Sequence, residues 1–569
     1  MEQSTHGPTQ GAEASERALP GAPLPLRVGF AAALATGLAS AVEAVPIGGA
    51  QHRQQAPAED PLESLDALVV DRTGPGLAPD ALRALCERAR SAGIPVIGLR
   101  RDGEEPPWAG LADVETGIPG SSDELTAAPA VDIGLFNPDL FTPDGVAGYM
   151  AALDEDADLS MLDASFPALT AATRFDPVTL RTSAEPIDVS LPPGVVAGRD
   201  LESDAELLQV LHRRLGVLDH PSFHASEFER AGWIAKLCAA GVPVCAAEIS
   251  DSLRAMLGSE LAELLEPLRP RDLADLDRRE RASVALRRAA LREHSAAARW
   301  RQIAAAAGLS VPARPKVSVI LSTRRESWLE HGIAQVARQT YEPRELVVCL
   351  HGDEFAPGTS ERVRSLYQAA QQRRGSGHAR AEGDCKVIRV DGELTLGDAL
   401  NAGVEASAGE LVTKMDDDDY YSTEHIWDLV LALEYSGADL VGKAAEFVYL
   451  EEIDVTVRQV SHDVDTRMAG GGMMAVKGPL QEIGGWPQRS RAEDLYLIRR
   501  FTGAGRPIRR IPPHGYILNR HGVDHTWRPQ VDYFLFRSER QWRGLGFEVT
   551  AIDAPTDPYT RIPPDSEVR

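Results

Sequence analysis

Short, unbroken apolar runs alternate with helical patterns along most of the chain. From residue 65, LDALVVD, PDALRALCERARSAG and IPVIGL follow one another as strand, helix and strand. From residue 316, KVSVILSTRR, a helical pattern and ELVVCL repeat this order. Because strands that are joined through helices pair in parallel, the alternation predicts an α/β fold with mostly parallel sheets.

Length and charge limit the kinds of partner. The 569 residues exceed what one hydrophobic core supports, so several domains are expected. Lys and Arg total 59 against 85 Asp and Glu, and the net charge of -26 disfavours nucleic acid and anionic lipid as main partners. The five cysteines are widely spaced and odd in number, which favours a reducing, cytoplasmic location. We expect no transmembrane segment, so contact with a lipid-linked acceptor at the inner face of the membrane would be peripheral.

Pattern and composition divide the chain into five parts. We predict a disordered tail (1–22), a Rossmann-like α/β region (23–270), a helical segment with a linker (271–315), a second α/β domain (316–547) and a C-terminal tail (548–569). The Rossmann-like region has no glycine-rich phosphate loop. We therefore expect that region to be non-catalytic and to position the acceptor or a partner.

Polar residues end the two strands of the C-terminal strand, helix, strand unit. Ser322, Thr323 and Arg324 end the first strand, and His351 and Gly352 end the second. The carboxyl ends of parallel strands meet at one edge of a sheet, where such folds bind their ligands. We therefore expect these residues to line one crevice.

An acidic run follows a later strand, in GELVTKMDDDDYYSTEHIWDLVLAL. If the backbone stays extended there, Asp416 and Asp418 point to the same side, and their carboxylates repel unless a cation lies between them. A divalent metal ion would relieve that repulsion and bridge to a diphosphate. The alternative is a solvated acidic turn whose charges favour the start of the next helix.

Four segments, in the same order, resemble the family 2 glycosyltransferases of the GT-A fold. They are VSVILSTRR, LTLGDALNAGVEASAGELVTKMDDDD, GGGMMAVKGPLQEIGGWP and RAEDLYLIRRF, and all lie within residues 316–547. The resemblance implies an inverting, metal-dependent transfer of a sugar from a nucleotide-sugar donor to a hydroxyl of a saccharide or lipid-linked acceptor. Polysaccharide, glycolipid or glycoprotein synthesis would use such a reaction.

The resemblance also implies roles for individual residues. Asp416 and Asp418 fall on the Asp-x-Asp motif that binds Mn²⁺ or Mg²⁺, and Asp416 and Asn401 join the donor-binding residues of the crevice. Asp494 falls on the catalytic base, with Glu493 assisting it. The alternative for this acidic pair is capping of the helix that it opens.

Three histidines and one tryptophan keep alternative roles. His521 or His525 completes the metal site, or neither does. His351 stands where most of the family has an aspartate pair for the nucleobase, so it either contacts the base or caps its strand. Trp486 is a sugar-stacking platform for the acceptor or a core aromatic residue.

A weaker resemblance covers residues 217–301. DHPSF, AAGVPV and LREHSAAARWRQI resemble the C-terminal half of two-lobed glycosyltransferases and spore-maturation-type proteins, although a Rossmann-like domain without activity explains them equally well. For the whole chain, the alternatives to a glycosyltransferase are a nucleotidyltransferase and an inactive sugar-nucleotide-binding scaffold. STRRES lacks a basic glycine-rich signature, which disfavours the first, and the intact acidic residues disfavour the second.

Overall fold

The computed structural model describes residues 214–373, 384–459, 467–521, 530–553 and 560–561. From the earlier part of the chain it describes shorter segments: 24–31, 42–46, 62, 65–71, 79–99, 109–117, 125–126, 149–152, 165, 168–169, 172, 178–181, 195–198 and 210–211. The tail predicted over residues 1–22 lies outside the described residues.

A parallel sheet opens the described chain. Its strands are β1 (Leu24–Ala31), β2 (Val42–Pro46), β3 (Ala67–Asp71), β4 (Val96–Leu99), β5 (Val114–Gly117) and β6 (Leu125–Thr126). They lie in the order β2-β1-β3-β4-β5-β6, and every pair is parallel. Helix α1 (Pro79–Ser91) connects β3 to β4, as the alternation in the sequence predicts.

A second parallel sheet follows. Its strands are β7 (Tyr149–Ala152), β8 (Val178–Arg181), β9 (Val195–Gly198), β10 (Gly216–Asp219) and β11 (Val244–Ala246), in the order β11-β10-β7-β8-β9. Every pair is again parallel. Helix α2 (Glu227–Ala239) connects β10 to β11.

A run of helices leads from the second sheet to the C-terminal part. They are α3 (Asp251–Leu257), α4 (Ser259–Leu265), α5 (Pro270–Ala274), α6 (Leu276–His294) and α7 (Ala296–Ala306). Asp275 and Ser295 separate the last three, because their extended backbones and capping side chains end one helix and start the next. The helical segment predicted from residue 271 is thus three helices.

The C-terminal part contains two more sheets. Its strands are β12 (Val317–Thr323), β13 (Arg344–His351), β14 (Cys385–Val390), β15 (Leu411–Lys414), β16 (Tyr420–Tyr421), β17 (Leu440–Lys443), β18 (Phe447–Leu450), β19 (Val455–Gln459), β20 (Met473–Val476), β21 (Ile508–Ile511), β22 (Tyr516–Arg520) and β23 (Ser538–Arg543). Its helices are α8 (Leu329–Ala337), α9 (Thr359–Arg373), α10 (Leu396–Ala406), α11 (His425–Ser436), α12 (Lys477–Glu482), α13 (Glu493–Gly503) and α14 (Val531–Leu535).

The third sheet has the order β14-β13-β12-β15-β20-β17-β21. Strands β14, β13, β12 and β15 are parallel, and β20 is antiparallel to both of its neighbours. The chain adds β13 and β14 on one side of β12 and β15 on the other, so the direction of strand addition reverses between β12 and β15. Ligands of open α/β sheets bind outside the strand ends at such a reversal point. The predicted α/β fold class, with mostly parallel sheets, is confirmed.

The fourth sheet lies next to this point and has the order β16-β22-β18-β19-β23. Strand β16 directly follows the acidic run, and Tyr420 and Tyr421 pair with Ile517 and Tyr516 of β22. Because β22 ends at Arg520, this pairing brings His521 back beside the acidic run.

Helix α6 packs against the C-terminal part. Leu286 and Ala289 of α6 share one hydrophobic cluster with Leu429 and Leu433 of α11, and the two helices are in contact. The helices between the second and third sheets therefore contribute to the core of the C-terminal part.

Among the helices that the structure describes, none combines the length and apolar character of a membrane span.

Candidate active site

The site lies where β12 and β15 end at the reversal point of the third sheet. Ile320 of β12 is in register with Lys414 of β15, and Met415 N–H donates to the Ile320 carbonyl over 3.1 Å. Beyond these ends, the Thr323 hydroxyl donates to the Asp417 carboxylate. The first strand end and the acidic run are thus directly connected.

Each aspartate of the acidic run has its own partners. Asp416 accepts from Lys414 Nζ at 3.0 Å, and Asp417 pairs with Arg325. Asp418 lies 2.9 Å from Arg325 Nη1 and 3.0 Å from His521 Nε2. Asp419 accepts from the Tyr516 hydroxyl at 2.6 Å and from Asn519 N–H at 2.9 Å.

The run is not a solvated turn. Asp417, Asp418 and Asp419 are 3%, 7% and 1% exposed. Strand β15 ends at Lys414, and a bend covers Asp417 and Asp418. The extended backbone assumed for Asp416 and Asp418 is therefore absent, and the bend sends the carboxylates to different partners.

The electrostatics of the run are unfavourable. Burial and the nearby Asp418 charge raise the pKa of Asp417 to about 6. Burial, again with Asp418, raises the pKa of Asp416 and raises that of Asp419 well above its ordinary value. Lys414 and Arg325 offset this repulsion only in part, so the site holds more negative charge than its own cations neutralise.

The predicted acidic pair of α13 contacts the same cluster. Lys414 Nζ lies 3.1 Å from Glu493 Oε1, and this ion pair lowers the pKa of Glu493 although burial opposes it. Burial and the Glu493 charge raise the pKa of Asp494. Asp494 Oδ1 accepts from Leu495 N–H at 2.7 Å. Two adjacent carboxyl groups thus have pKa values shifted in opposite directions, a pattern found in acid and base pairs.

A glycine turn, Gly470–Gly472, closes over these carboxylates. A Cβ atom at Gly471 would lie 2.6 Å from the Tyr421 hydroxyl and 3.0 Å from carboxylate oxygens of Asp416 and Asp419. A Cβ atom at Gly470 would lie 3.2 Å from Asp494 Oδ2. A side chain at either position would crowd these groups, which accounts for glycine at this close approach.

The candidate metal ligands only partly form a cage. Asp418 and His521 converge at 3.0 Å, whereas His525 lies outside the described residues. Among the described residues, no group of three His, Cys, Asp or Glu side chains could hold a metal ion. Hard divalent ions at phosphate sites commonly take one or two carboxylates and complete their shell from the substrate. The residues present fit a site of that kind with Asp418 and His521 as the converging ligands, whereas Asp416 pairs with Lys414.

Among the predicted donor-binding residues, those at the ends of β12 and β13 lie together. Arg324 lies 2.7 Å from His351 Nε2 and donates to the Gly392 carbonyl over 2.7 Å, so the two strand ends meet as predicted. Burial, together with Arg324, lowers the pKa of His351, which keeps the ring neutral at physiological pH. The Ser322 hydroxyl at the same edge is buried and makes no hydrogen bond within the described part of the chain.

Asn401 and Trp486 have different surroundings from those expected of ligand contacts. The Asn401 side chain donates to the Trp486 carbonyl at 2.9 Å and accepts from Trp486 N–H at 2.8 Å. Its amide therefore anchors a loop. Trp486 is 4% exposed and belongs to a cluster with Leu497 and Phe501, so the structure favours the core aromatic over the sugar-stacking platform.

Sequence reasoning missed two cations of the site. Lys414 stands two residues before Asp416, a spacing that puts both on one side of an extended strand, and this spacing could have identified it. Arg325 follows the predicted Arg324 directly, but nothing in the sequence indicates that it pairs with Asp417 and Asp418. Its partners lie about ninety residues away along the chain.

The C-terminal part matches a known family in sequence. Residues 318–459 match the model described as glycosyl transferase family 2. None of the curated proteins matches the chain.

Solved structures give two further likenesses. The chain aligns with the mannosyltransferase PcManGT from Pyrobaculum calidifontis, in complex with GDP-Man and Mn²⁺, at 16% identity and a TM-score of 0.29, over 38% of this chain and 59% of that one. It aligns with S. aureus TarS 1-349, in complex with UDP-GlcNAc, at 17% identity and a TM-score of 0.28, over 38% and 63%. The chain spans less than two thirds of the length of either.

Proposed function

We propose that this chain, whose residues 318–459 match the glycosyl transferase family 2 model, transfers a sugar from a nucleotide-sugar donor to an acceptor hydroxyl, with inversion and with a divalent cation. The observation that carries this proposal is the excess of buried carboxylate at the reversal point of the third sheet. Such charge is unfavourable for a folded protein unless a ligand neutralises it. An inactive scaffold would have no reason to keep it.

The acceptor side of the proposed reaction depends on Asp494. Its raised pKa makes it a better proton acceptor than an ordinary aspartate. Oδ1 accepts the hydrogen bond from Leu495 N–H, so Oδ2 is the oxygen that would accept the proton. Glu493, held ionised by Lys414, orients that lysine between the two parts of the site. We propose that Asp494 is the base that removes the proton of the attacking hydroxyl, and that Glu493 assists it by positioning Lys414.

The donor side depends on the strand ends. Asp416, Asp418 and His521 are the residues that we propose to hold Mn²⁺ or Mg²⁺, and the ion would stabilise the charge of the departing diphosphate. We propose that the nucleotide binds at the edge formed by Arg324, His351 and the Ser322 hydroxyl, which has no hydrogen-bond partner within the described residues. His351 Nε2 contacts Arg324 and the Leu394 carbonyl, so a neutral His351 would hydrogen-bond a base through Nδ1.

We further propose that residues 23–270 are non-catalytic and position the acceptor or a partner. Within their described segments they form two parallel sheets, but the sequence contains no glycine-rich phosphate loop there. The weaker resemblance of residues 217–301 stays a prediction.

The test is thermal unfolding of the full chain with a panel of nucleoside diphosphates, with and without Mn²⁺. A ligand that binds only the folded state stabilises it by mass action, so a hundredfold excess over Kd should raise the midpoint by on the order of 5 °C. We expect this rise only when nucleotide and Mn²⁺ are both present. Asp418→Asn should abolish this rise. Asp277→Asn, which removes a charge from the ion pair with Arg540, is the matched control and should leave the rise unchanged. Full stabilisation by a nucleotide in the presence of a chelator would contradict the metal site.

A further inference from the structure

Three exposed arginines lie on α13 and in the loop before it, although the chain carries a net charge of -26. Arg489 and Arg491 lie in the exposed loop before α13, and Arg499 is exposed on that helix. We call these three residues the arginine patch. Within the part of the chain that the structure describes, none of them is paired with a carboxylate.

A tyrosine holds two of these arginines in place. The guanidinium carbon of Arg489 lies 3.8 Å from the ring centre of Tyr496, and that of Arg499 lies 5.2 Å from it. Stacking on an aromatic face fixes the plane of a guanidinium group and leaves the N–H donors on its edge available to a ligand. The patch is therefore an ordered set of hydrogen-bond donors.

The loop that presents Arg489 is itself held rigidly by α10. Gly397 N–H donates to the Arg489 carbonyl over 3.1 Å. A Cβ atom at Gly397 would lie 1.8 Å from the Pro487 carbonyl oxygen, so only glycine permits this approach. One turn further along α10, Asn401 binds the backbone of Trp486 through both ends of its amide. A ligand would thus meet a preformed surface.

The neighbouring charges do not cancel the patch. Glu493 is paired with Lys414, and the Asp398 carboxylate accepts from the Thr395 hydroxyl at 2.6 Å as part of a helix cap. Arg500 donates to the carbonyls of Gly484 and Gly485, so it supports the fold and is not counted in the patch. These neighbouring carboxylates and Arg500 therefore have other partners than the arginine patch.

We propose that the arginine patch binds an anionic saccharide acceptor, whose phosphate or carboxylate groups pair with Arg489, Arg491 and Arg499. This inference rests on the proposed function, because it takes Asp494, at the start of α13, as the base that meets the acceptor. The guanidinium fork matches phosphate and carboxylate in bidentate geometry. Since an acidic chain repels an anionic glycan over most of its surface, a basic patch on the helix that Asp494 opens both attracts and orients it.

The experiment uses the full chain and two matched probes, a phosphorylated dextran oligosaccharide and its uncharged parent of equal length. We expect the phosphorylated probe to bind and its affinity to fall with added salt, while the parent binds much more weakly. Arg489→Gln combined with Arg499→Gln should weaken binding of the phosphorylated probe about tenfold or more and flatten the salt dependence. Arg278→Gln, an exposed arginine of α6, should leave both unchanged.

Several outcomes would overturn the proposal. Equal binding of the two probes would remove the role of charge, and undiminished binding by a folded double variant would remove the role of the patch. Because Arg489 also contacts Tyr496, Arg491→Gln provides a second test at a residue outside the stack, and it should weaken binding in the same direction. Binding of anionic lipid vesicles in place of the oligosaccharide, lost in the same variants, would assign the patch to a membrane surface instead. Donor binding by the unchanged protein with Mn²⁺ is measured separately, so failure of the transferase proposal is distinguishable from failure of this one.

Discussion

Two buried ionic networks of the C-terminal part are balanced in opposite ways. At the contact between α6 and α11, Arg288 donates to both oxygens of Asp428 at 2.8 and 3.1 Å, and Lys443 Nζ reaches the same carboxylate at 2.8 Å. These cations hold the pKa of Asp428 far below its ordinary value, although burial opposes the shift. At the strand ends, by contrast, burial raises the pKa of Asp416 and of Asp417 despite Lys414 and Arg325.

The difference separates a structural network from a functional one. At the helix contact, Asp428 has two cationic partners. Glu280, elsewhere on α6, shows the same balance: His514 and Arg458 lower its pKa to about 2 against the effect of burial. At the strand ends, negative charge exceeds positive charge although Asp417, Asp418 and Asp419 are buried. A protein tolerates this imbalance where a cationic ligand or a reaction uses it.

The largest expected effect is on the reaction and comes from Asp418→Asn. Removing one carboxylate of the proposed cation site should lower the rate of sugar transfer about a thousandfold or more, because the charge of the departing diphosphate loses its counter-ion. Donor hydrolysis measured over a titration of Mn²⁺ checks this. The free energy of unfolding of the metal-free protein should not fall, since the substitution relieves repulsion with Asp417. If the wild-type protein transfers sugar at its full rate in the presence of a chelator, the carboxylates at the strand ends do not hold a catalytic cation.

The second effect is on stability and comes from Asp428→Asn. Asparagine leaves Arg288 and Lys443 buried without a counter-charge, which should lower the free energy of unfolding by about 3 kcal/mol or more. Denaturant unfolding at neutral pH measures the loss. Asp418→Asn is the matched control, because the same chemical change at the other network should cost little stability. Equal losses in the two variants would mean that both networks are structural.

The third effect is at the proposed base. Asp494→Asn should reduce turnover about a hundredfold while donor affinity is almost unchanged, because the lost interaction acts in the transition state. Steady-state kinetics together with calorimetric titration of the donor separate the two quantities. A donor affinity that falls in step with turnover would indicate that Asp494 only caps α13.

Much of the fold could be predicted, because it is encoded in local patterns. The apolar runs that gave β12 and β13 end at Thr323 and His351, as the change from apolar to polar residues predicts. The rule that parallel strand ends share an edge then brought Arg324 to His351 without any knowledge of contacts. Local signals for the breaks in the helical segment were also present, since Asp275 and Ser295 are good N-cap residues.

The charge balance could not be predicted in the same way. Arg288 and Asp428 are 140 residues apart, and no periodic pattern relates them. Arg325 is paired with the acidic run only because β12 and β15 are neighbours in the sheet, which depends on the order of strand addition. For Trp486 the sequence left two alternatives, and only its burial distinguishes them. Long-range pairing and burial are properties of the packed chain.

The smallest expected effect is a shift in the acid limb of the pH–rate profile. Asp494 must be deprotonated to accept a proton, and burial and the Glu493 charge raise its pKa, so activity should begin to fall at a pH above the ordinary range of aspartate. Two substitutions should move this limb in opposite directions. Glu493→Gln removes a neighbouring negative charge, which lowers the pKa of Asp494 and moves the limb to lower pH. Lys414→Met removes a positive charge and moves it to higher pH.

The ion pairs of Glu280 with Arg458 and His514 give the internal control for this measurement. There the pKa of Glu280 is depressed, so its contribution to stability is present above pH 4.5, the ordinary value for glutamate, and is lost only as pH falls towards about 2. In the range where activity declines, titration of Glu280 should therefore not lower the free energy of unfolding. Parallel pH profiles of kcat/KM and of denaturant unfolding, in wild type and both variants, check the assignment. A limb that moves the same way in Glu493→Gln and Lys414→Met, or that follows the loss of stability, would show that it reports unfolding and not the titration of Asp494.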